Sequence, residues 1–580
     1  MNETTWYRAF PLSELRVGEG RVVREGSHHV AVFRVDDDEL YAVDNRCPHE
    51  GYPLAKGYVS DCVVTCPWHN FKFDLRDGRC VMGDEAVRTF PLRLSNDHVE
   101  IDLTPPDPEV ERARLIASLE QGLLERKLGQ VARELVRLIQ LGVGPDELAL
   151  QAARFDAARA PWGATHVLPM AEDVAAIAER FEGVEAVLPL MQAFDQASDS
   201  HVRRAPRKAA DPVDPGDDPE VAGARLRELT EAERVTEAEA LLRGALAKGW
   251  GRAVVEPWLF QLTADHFLDF GHALIYQVKV FDLLERVGWE HAPSLLPAHL
   301  VGLVNGTRED TLPEWLWFRD GTASLLAEAD GVYAGLGRRR LDVRAFVEIL
   351  VDGARDDMLA RLETELHEGV VLRDVVDAIS IAASERLQRF DPAIDADPTI
   401  QESWLGVTHT LTYANALRSA IERFDDPAVI RLVAYGARFV NNAAVVDAPV
   451  DARVGVEPRS ASATEEDVIA AIAARDPQRA SSTTARYLVD GGDVVTLRDA
   501  FEDLALDDAG TRPIVGTHLI KTTRAAADEQ RRIEHAELRH RPMIAVARWL
   551  ASPVRERPVG RLAHEAIRFV VHGKVPKTLT

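Results

Sequence analysis

Cysteine is scarce: the chain has 4 in 580 residues, all between Cys47 and Cys80. That excludes a disulfide-built scaffold. Basic charge is short as well, with 68 Lys and Arg against 94 Asp and Glu and a net charge of -26. A phosphate-neutralising surface needs the opposite sign, so nucleic acid is not an expected partner. No apolar run approaches the ~20 residues of a membrane-spanning helix. The opening MNETTWYRAF lacks the basic-then-apolar order of a secretory leader. The expectation is a cytoplasmic protein with no membrane partner. A phosphate-cradling glycine loop and a dinucleotide fingerprint are missing too, so neither flavin nor NAD is expected in this chain. The rest is ordinary: 46% hydrophobic and 28% charged residues support several folded cores.

Two textures divide the chain. In residues 1–105, runs such as HHVAVFRV, ELYAVDN, DCVVTC and HVEIDL are β-branched and partly alternating, with Gly18, Gly20, Asp77–Gly78 and Asn96–Asp97 between them. That pattern predicts a small antiparallel β domain. The prolines of TPPDPE at 104–109 end it. From about residue 110 the chain turns to Ala, Leu, Glu and Arg at three- and four-residue spacing, which predicts amphipathic helices, the first interrupted near Gly122 and Gly129. The expected fold is multidomain: an N-terminal all-β domain over 1–105, a helical connector over 106–160, and a large all-α domain of helical repeats over 161–580. The charged Pro/Asp/Gly segment at about 203–223 predicts a mobile loop, and 447–462 a second loop.

The cysteines come with histidines. Cys47–Pro48–His49 and Cys66–Pro67–Trp68–His69 form C-x-H-x16-C-x-x-H. Two loops, each presenting one thiolate and one imidazole, suit a two-iron cluster with the cysteines on one iron and the histidines on the other. Tetrahedral zinc is the competing reading, but zinc fingers usually pair like ligands and continue into a helix. Residues 5–103 resemble the Rieske iron–sulfur family, in its ferredoxin-like and oxygenase-type branch. The resemblance implies a 2Fe-2S cluster held by Cys47, His49, Cys66 and His69. Respiratory members add a cysteine to each loop. Here CPHEGY and CPWHNF end in Tyr52 and Phe71, while Cys62 and Cys80 are expected to be buried apolar side chains. Fewer hydrogen-bonding groups at the cluster imply a potential near the low end of the Rieske range, about -150 mV.

Eighteen histidines are present, and four share a context. GATHVLPMAEDV surrounds His166, DFGHALIYQVKV His272, GVTHTLTYANAL His409 and VGTHLIKTTRAA His518. Each follows a glycine and precedes a Leu or Ile and a helical pattern. Four quasi-equivalent helices could project one imidazole each into a shared interior, where imidazole suits iron, zinc, copper or nickel. Repetition for packing alone is the alternative. These segments resemble the questin oxidase-like oxygenases through His166–Met170, His272–Ile275, His409–Arg418 and His518–Lys521. That resemblance implies an all-helical protein with non-haem iron held by His166, His272, His409 and His518, and Lys521 as a catalytic fifth ligand through a carboxylated amine. Asp265, His266 and His272 loosely resemble the D-x-x-H-x-x-x-x-H iron site of ring-hydroxylating oxygenases, at the wrong spacing. His299 is expected in a core or pocket, and the aromatic cluster Trp315, Trp317 and Phe318 in the core or against a planar substrate.

The expected function is an oxidoreductase: a Rieske-coupled non-haem iron oxygenase acting with oxygen on an organic, aromatic or quinone-like small molecule. A separate reductase or ferredoxin would supply the electrons. The alternative is a Rieske electron carrier fused to a non-catalytic helical interaction module. A third reading keeps the four-histidine metal but makes it zinc or structural.

Overall fold

The computed structural model describes residues 6–83, 85–396, 404–453, 456, 461–507, 512–552 and 559–574. The chain falls into two compact units. One comprises 1–144, 182–187 and 561–580; the other comprises 145–181 and 188–560.

The first unit carries the β domain as three antiparallel sheets. A three-stranded sheet runs Trp6–Pro11, His98–Asp102, Leu92–Ser95. A four-stranded one runs Gly20–Glu25, His28–Arg34, Leu40–Asp44, Thr89–Phe90. Alternation in HHVAVFRV is what lets one strand serve two cores. Val30 and Val32 pack with Phe10, Val99 and Ile101, while Ala31 and Phe33 pack with Cys47, Val64 and Phe73. The remaining strands, Tyr58–Ser60, Val63–Thr65, Lys72–Asp74 and Cys80–Met82, form a small sheet inserted between Asp44 and Thr89. That sheet and the loop after Asp44 position the two cysteine–histidine loops.

Two helices follow, Pro108–Leu124 and Leu128–Gln140. The break between them is at 125–127, where Arg126 is left-handed at φ 60 and the Lys127 N–H returns to the Gly122 carbonyl. Gly122 and Gly129 both stay helical. Gly122 instead lets the two helices approach, since a Cβ there would press on Val131 and Gln130. The expected connector over 106–160 is not one piece. Arg133 and Arg137 of the second helix ion-pair with Glu85 of the β domain, whereas Pro145–Arg159 belongs to the second unit and packs on Val167–Ala178.

Among the described residues of the second unit, the regular elements longer than an isolated bridge are all helices. Four of its helices close a ring. Val167–Ala178 packs on His272–Val287, which packs on Trp404–Arg423, which packs on Pro513–Arg532, which returns to Val167–Ala178. The segment expected as a mobile loop is irregular only to Asp218, where the helix Pro219–Glu231 begins behind an Asp218 cap. It is also tied down, by Arg207 bidentate on Glu239 and by the Val213 N–H on the Ala240 carbonyl. Of the 447–462 loop, 454–455 and 457–460 lie outside the described residues. One stretch, Val429–Val446, is apolar enough over 18 residues to cross a membrane by length and composition; 67% of it is buried inside this unit, as in a core helix. Trp315 and Phe318 are core residues, packed with Phe267 and Tyr435.

Candidate metal centres

The two cysteine–histidine loops of the first unit are built alike. In each, the cysteine N–H bonds to the carbonyl five residues on, Cys47 to Tyr52 and Cys66 to Phe71. In each, the residue four after the cysteine turns its N–H back to the cysteine carbonyl, Gly51 and Asn70. Both of those residues are left-handed, at φ 79 and 62, a conformation that glycine and asparagine accept most readily. The two turns thus present their side chains in matched fashion. Cys47 Sγ receives the backbone N–H groups of His49 and Glu50, and Cys66 Sγ those of Trp68 and His69. The thiols also face each other. Their shared hydrogen bond pushes Cys47 up and draws Cys66 down to about 6. The imidazoles meet at Nδ1, with His49 and His69 3.2 Å apart.

Aromatic rings clasp the loops reciprocally. Phe71 of the second lies flat on His49 of the first, with centroids 4.5 Å apart and planes at 8°. Tyr52 of the first lies over Trp68 of the second at 6.2 Å. Two thiols bearing backbone N–H donors and two converging imidazoles are the donor set that a mixed-ligand diiron cluster requires. Cys62 and Cys80 stand outside it. Contrary to expectation they are half-exposed, and Cys62 donates to Glu39 at 3.4 Å from a left-handed backbone.

In the second unit the ring of helices brings four imidazoles together from positions up to 352 residues apart (166 to 518). His166 stands just before its helix and His272 opens its own. His409 and His518 lie instead on the second turn of theirs, so only two of the four repeats begin at the histidine. His409 Nε2 is the hub: His272 Nε2 lies 2.8 Å away, Lys521 Nζ 3.0 Å and His518 Nε2 3.2 Å. His166 closes the group, its ring centroid 4.8 Å from that of His272 and 5.1 Å from that of His518.

One nitrogen with a single lone pair or proton cannot satisfy three neighbours. His166 Nε2 and His409 Nδ1 are also buried without a hydrogen-bond partner. Donor atoms bound cis to one ion at about 2.1 Å stand about 3 Å apart, the spacing seen around His409. The His518 Nδ1–H donates to the Ile514 carbonyl at 2.7 Å, which leaves its Nε2 bare toward the hub. Burial, reinforced by the Lys521 charge, holds His166, His409 and His518 well below the ordinary imidazole range and His272 at about 3. Neutral imidazole is the ligating form. Burial likewise lowers Lys521 to about 7, against a small opposing pull from Asp173.

The supporting residues were not evident from sequence. Asp156 accepts the Thr165 N–H at 2.9 Å and its hydroxyl at 2.6 Å, and is itself held by His201 at 2.7 Å, so it fixes the residue before His166. His272 is launched by three consecutive left-handed residues, Asp269, Phe270 and Gly271. The Gly271 position has no room for a side chain because the Tyr413 ring lies against it. Below the imidazoles lies an ionic layer. Lys279 bonds Glu172 and Asp173 at 2.6 and 2.7 Å, Arg524 approaches Asp173 at 3.2 Å, and Arg418 grips Glu529 and Asp377. A signal existed: a charged or amide residue follows each histidine by six or seven positions, as Asp173, Lys279, Asn415 and Arg524. His266 is engaged by Asp310 and Glu231 and takes no part in the group. His299 is buried on Gln277 at 2.7 Å.

The doubled cysteine–histidine turn, set on a small sheet inserted into an antiparallel β domain, defines an iron–sulfur electron-transfer protein of the Rieske type. Through residues 5–91 the chain belongs to the Rieske 2Fe-2S domain family, and that domain implies a 2Fe-2S cluster. Over 108 residues, 18% of this chain and 99% of the relative, it is 34% identical to the anthranilate 1,2-dioxygenase ferredoxin subunit of Burkholderia cepacia. It is 31% identical over 101 residues to the ferredoxin component of the naphthalene 1,2-dioxygenase system of Pseudomonas putida, covering 17% of this chain and 96% of that one. A 4beta-methylsterol monooxygenase of Methylococcus capsulatus is 31% identical over 104 residues, which are 16% of this chain and 28% of that enzyme.

Proposed function

We propose that the chain is an oxygenase with its own electron-transfer domain, in which the Rieske cluster feeds a mononuclear non-haem iron in the helical unit. The observation that carries the reading is the oversubscribed His409 Nε2, with three nitrogen neighbours within 3.2 Å and no carboxylate among them. Cys47, His49, Cys66 and His69 hold the cluster. His166, His272, His409 and His518 hold the iron, which supplies oxygen activation when bound.

The chain's residues supply the rest. The four imidazoles are neutral by burial and therefore bind without releasing protons. Asp156 and the left-handed turn before His272 fix the two histidines that stand at helix starts. Lys521 is the fifth donor. A protonated ammonium would be repelled by the ion and has no lone pair, so it serves as the neutral amine or as the carbamate. In carbamate formation the amine nitrogen attacks the carbon of carbon dioxide and one proton leaves.

An organic substrate and oxygen would enter the helical unit, while a separate reductase or ferredoxin reloads the cluster. The relatives' names favour such a role, since two are ferredoxin components of dioxygenase systems. Metal analysis of the purified full chain tests the proposal. Three irons per chain, two of them reporting as a Rieske cluster by spin resonance, is the expected result. Two irons and no other metal leaves an electron carrier with a helical module, and two irons with one zinc leaves a structural site.

A further inference from the structure

Between the imidazoles and the ionic layer lies a cavity of about 20 Å³. Met170, Ile275, Val278 and Ala525 make its walls mostly apolar, and Asp173 and Lys521 both reach it. Asp173 is 1% exposed, and its two cations sit on one oxygen: Oδ1 takes Lys279 at 2.7 Å and Arg524 at 3.2 Å. Oδ2 is buried with no donor. A carboxylate oxygen left so is costly unless something donates to it. Lys521 feels the Asp173 charge but forms no ion pair with it. The space between them suits one small molecule, since about 10–15 Å³ with two or more polar partners holds a water.

Asp173 is also linked to solvent. Lys279, whose side chain is 20% exposed, bonds Glu172 at 2.6 Å as well as Asp173. Arginine does not give up its proton, so Arg524 anchors the carboxylate while Lys279 is the group that can exchange protons with it. Solvent, Lys279, Asp173, the cavity and Lys521 therefore follow one another from the surface to the interior of the ring.

We propose that one water fills this cavity, bridging Asp173 Oδ2 to the Lys521 amine, and that Asp173 passes protons through it between the surface and the histidine ring. In each transfer Asp173 gives a proton to the water, the water passes one of its own inward, and Lys279 restores the first while taking one from solvent, so no net charge is left behind. The carboxyl can hold a proton in passing, because burial raises it, against Lys279 and Arg524 and with Glu172. The use made of the route rests on the oxygenase reading: turning one atom of oxygen into water takes two electrons, which the cluster would supply one at a time as it is oxidised, and two protons. The route itself stands on its own geometry.

The test is hydrogen exchange at the Lys521 amine, read by nitrogen-15 resonance in labelled full-length protein with the cluster intact, the helical site emptied by chelation and carbon dioxide excluded. Asp173→Asn should slow that exchange at least about 10-fold, and Asp173→Glu should restore most of it. Val278→Ile adds one methylene to the cavity wall, leaves every ionic group in place and should slow exchange as Asp173→Asn does. The buried Trp549 indole hydrogen should exchange alike in all four proteins, which a general loosening of the fold would not allow. In protein carrying the third iron, oxidation of the reduced cluster by oxygen should slow in the same order, and oxidation indifferent to Asp173 overturns the proton-supply role. Unchanged exchange at Lys521 in either Asp173→Asn or Val278→Ile overturns the inference even if that iron is present. Asp173-dependent exchange in a chain that never binds the iron upholds the route and sinks the oxygenase reading alone.

Discussion

Arg418 and Glu529, both 0% exposed, form a two-pronged ion pair beneath the imidazole layer, with contacts of 2.7 to 3.0 Å. One lies on the His409 helix and the other on the His518 helix. The pair, with Asp377 as a second acid at 2.8 Å, joins the two helices that carry the hub histidine and its neighbour. A buried pair of this kind contributes little net stability against an apolar substitute, but it is costly to break. Glu529→Ala strands a guanidinium with one remaining carboxylate, and about 3–5 kcal/mol of stability should be lost. Denaturant unfolding of the helical unit, followed by circular dichroism, measures it. A loss below about 1 kcal/mol would show that the ring does not depend on this layer.

Each of the four histidines should matter to one ion. Replacing His166, His272, His409 or His518 by Ala in the full chain should remove the third iron and leave the two of the cluster. His367 is exposed and bonded to the Glu363 carbonyl and Glu328, so His367→Ala should change nothing. Equal metal content in all five variants would mean that the imidazoles gather for packing.

The two loops of the β domain should fail together. Cys47→Ser or His69→Ala should abolish the Rieske spin-resonance signal and remove two irons per chain, because the turns share one ligand set. The helical signature of the protein should persist. A retained signal in either variant would refute the assignment of these ligands.

Carbamate on Lys521 would be visible directly. Protein equilibrated with carbon-13 bicarbonate should give a carbamate carbonyl resonance that disappears in Lys521→Ala. A spectrum identical in the two proteins would leave the free amine as the fifth donor.

Glu309, which accepts the Phe270 N–H in the turn before His272, provides a pH test. Burial raises its carboxyl to about 7, against the Phe270 N–H and Arg438, which favour the charged form, and with Asp269 and Glu314, which oppose it. Its native value lies above its ordinary 4.5, so between those limits the folded state binds more protons than the unfolded state. Its contribution to stability is therefore fully present below pH 4.5 and falls as pH rises through 7. Stability of wild type minus that of Glu309→Gln should decline over that window. A difference independent of pH from 4 to 8 would show that Glu309 titrates normally.

The cluster loops were legible in the sequence because each brings a thiol and an imidazole within four residues, so local spacing carries the chemistry. The four histidines were legible by repetition of context, although His409 and His518 stand a turn deeper in their helices than the shared pattern implies. Asp156 with His201 was not, because its significance comes from partners 9 and 45 residues away that only the fold brings together. That the boundary between the two units falls inside 106–160, between Gly144 and Pro145, was not legible for a similar reason. Helical periodicity marks that a segment has an apolar face, but not which unit that face packs against, and Glu85 is what draws Leu128–Gln140 to the β domain.

Closure of the ring has a consequence in time. Its last contact joins Val167–Ala178 to Pro513–Arg532, as where the Thr517 hydroxyl meets Met170, 347 positions earlier. At about 5–20 residues per second a ribosome needs about 20–70 s to cover that interval. Until then the nascent chain holds at most three sides of the site, with His166, His272 and His409 made but His518 and Lys521 still to come. If the four imidazoles hold an ion as proposed, that ion could be fully ligated only after His518 and Lys521 have been made, and the contact that closes the ring carries the loop-closure cost of a long sequence separation.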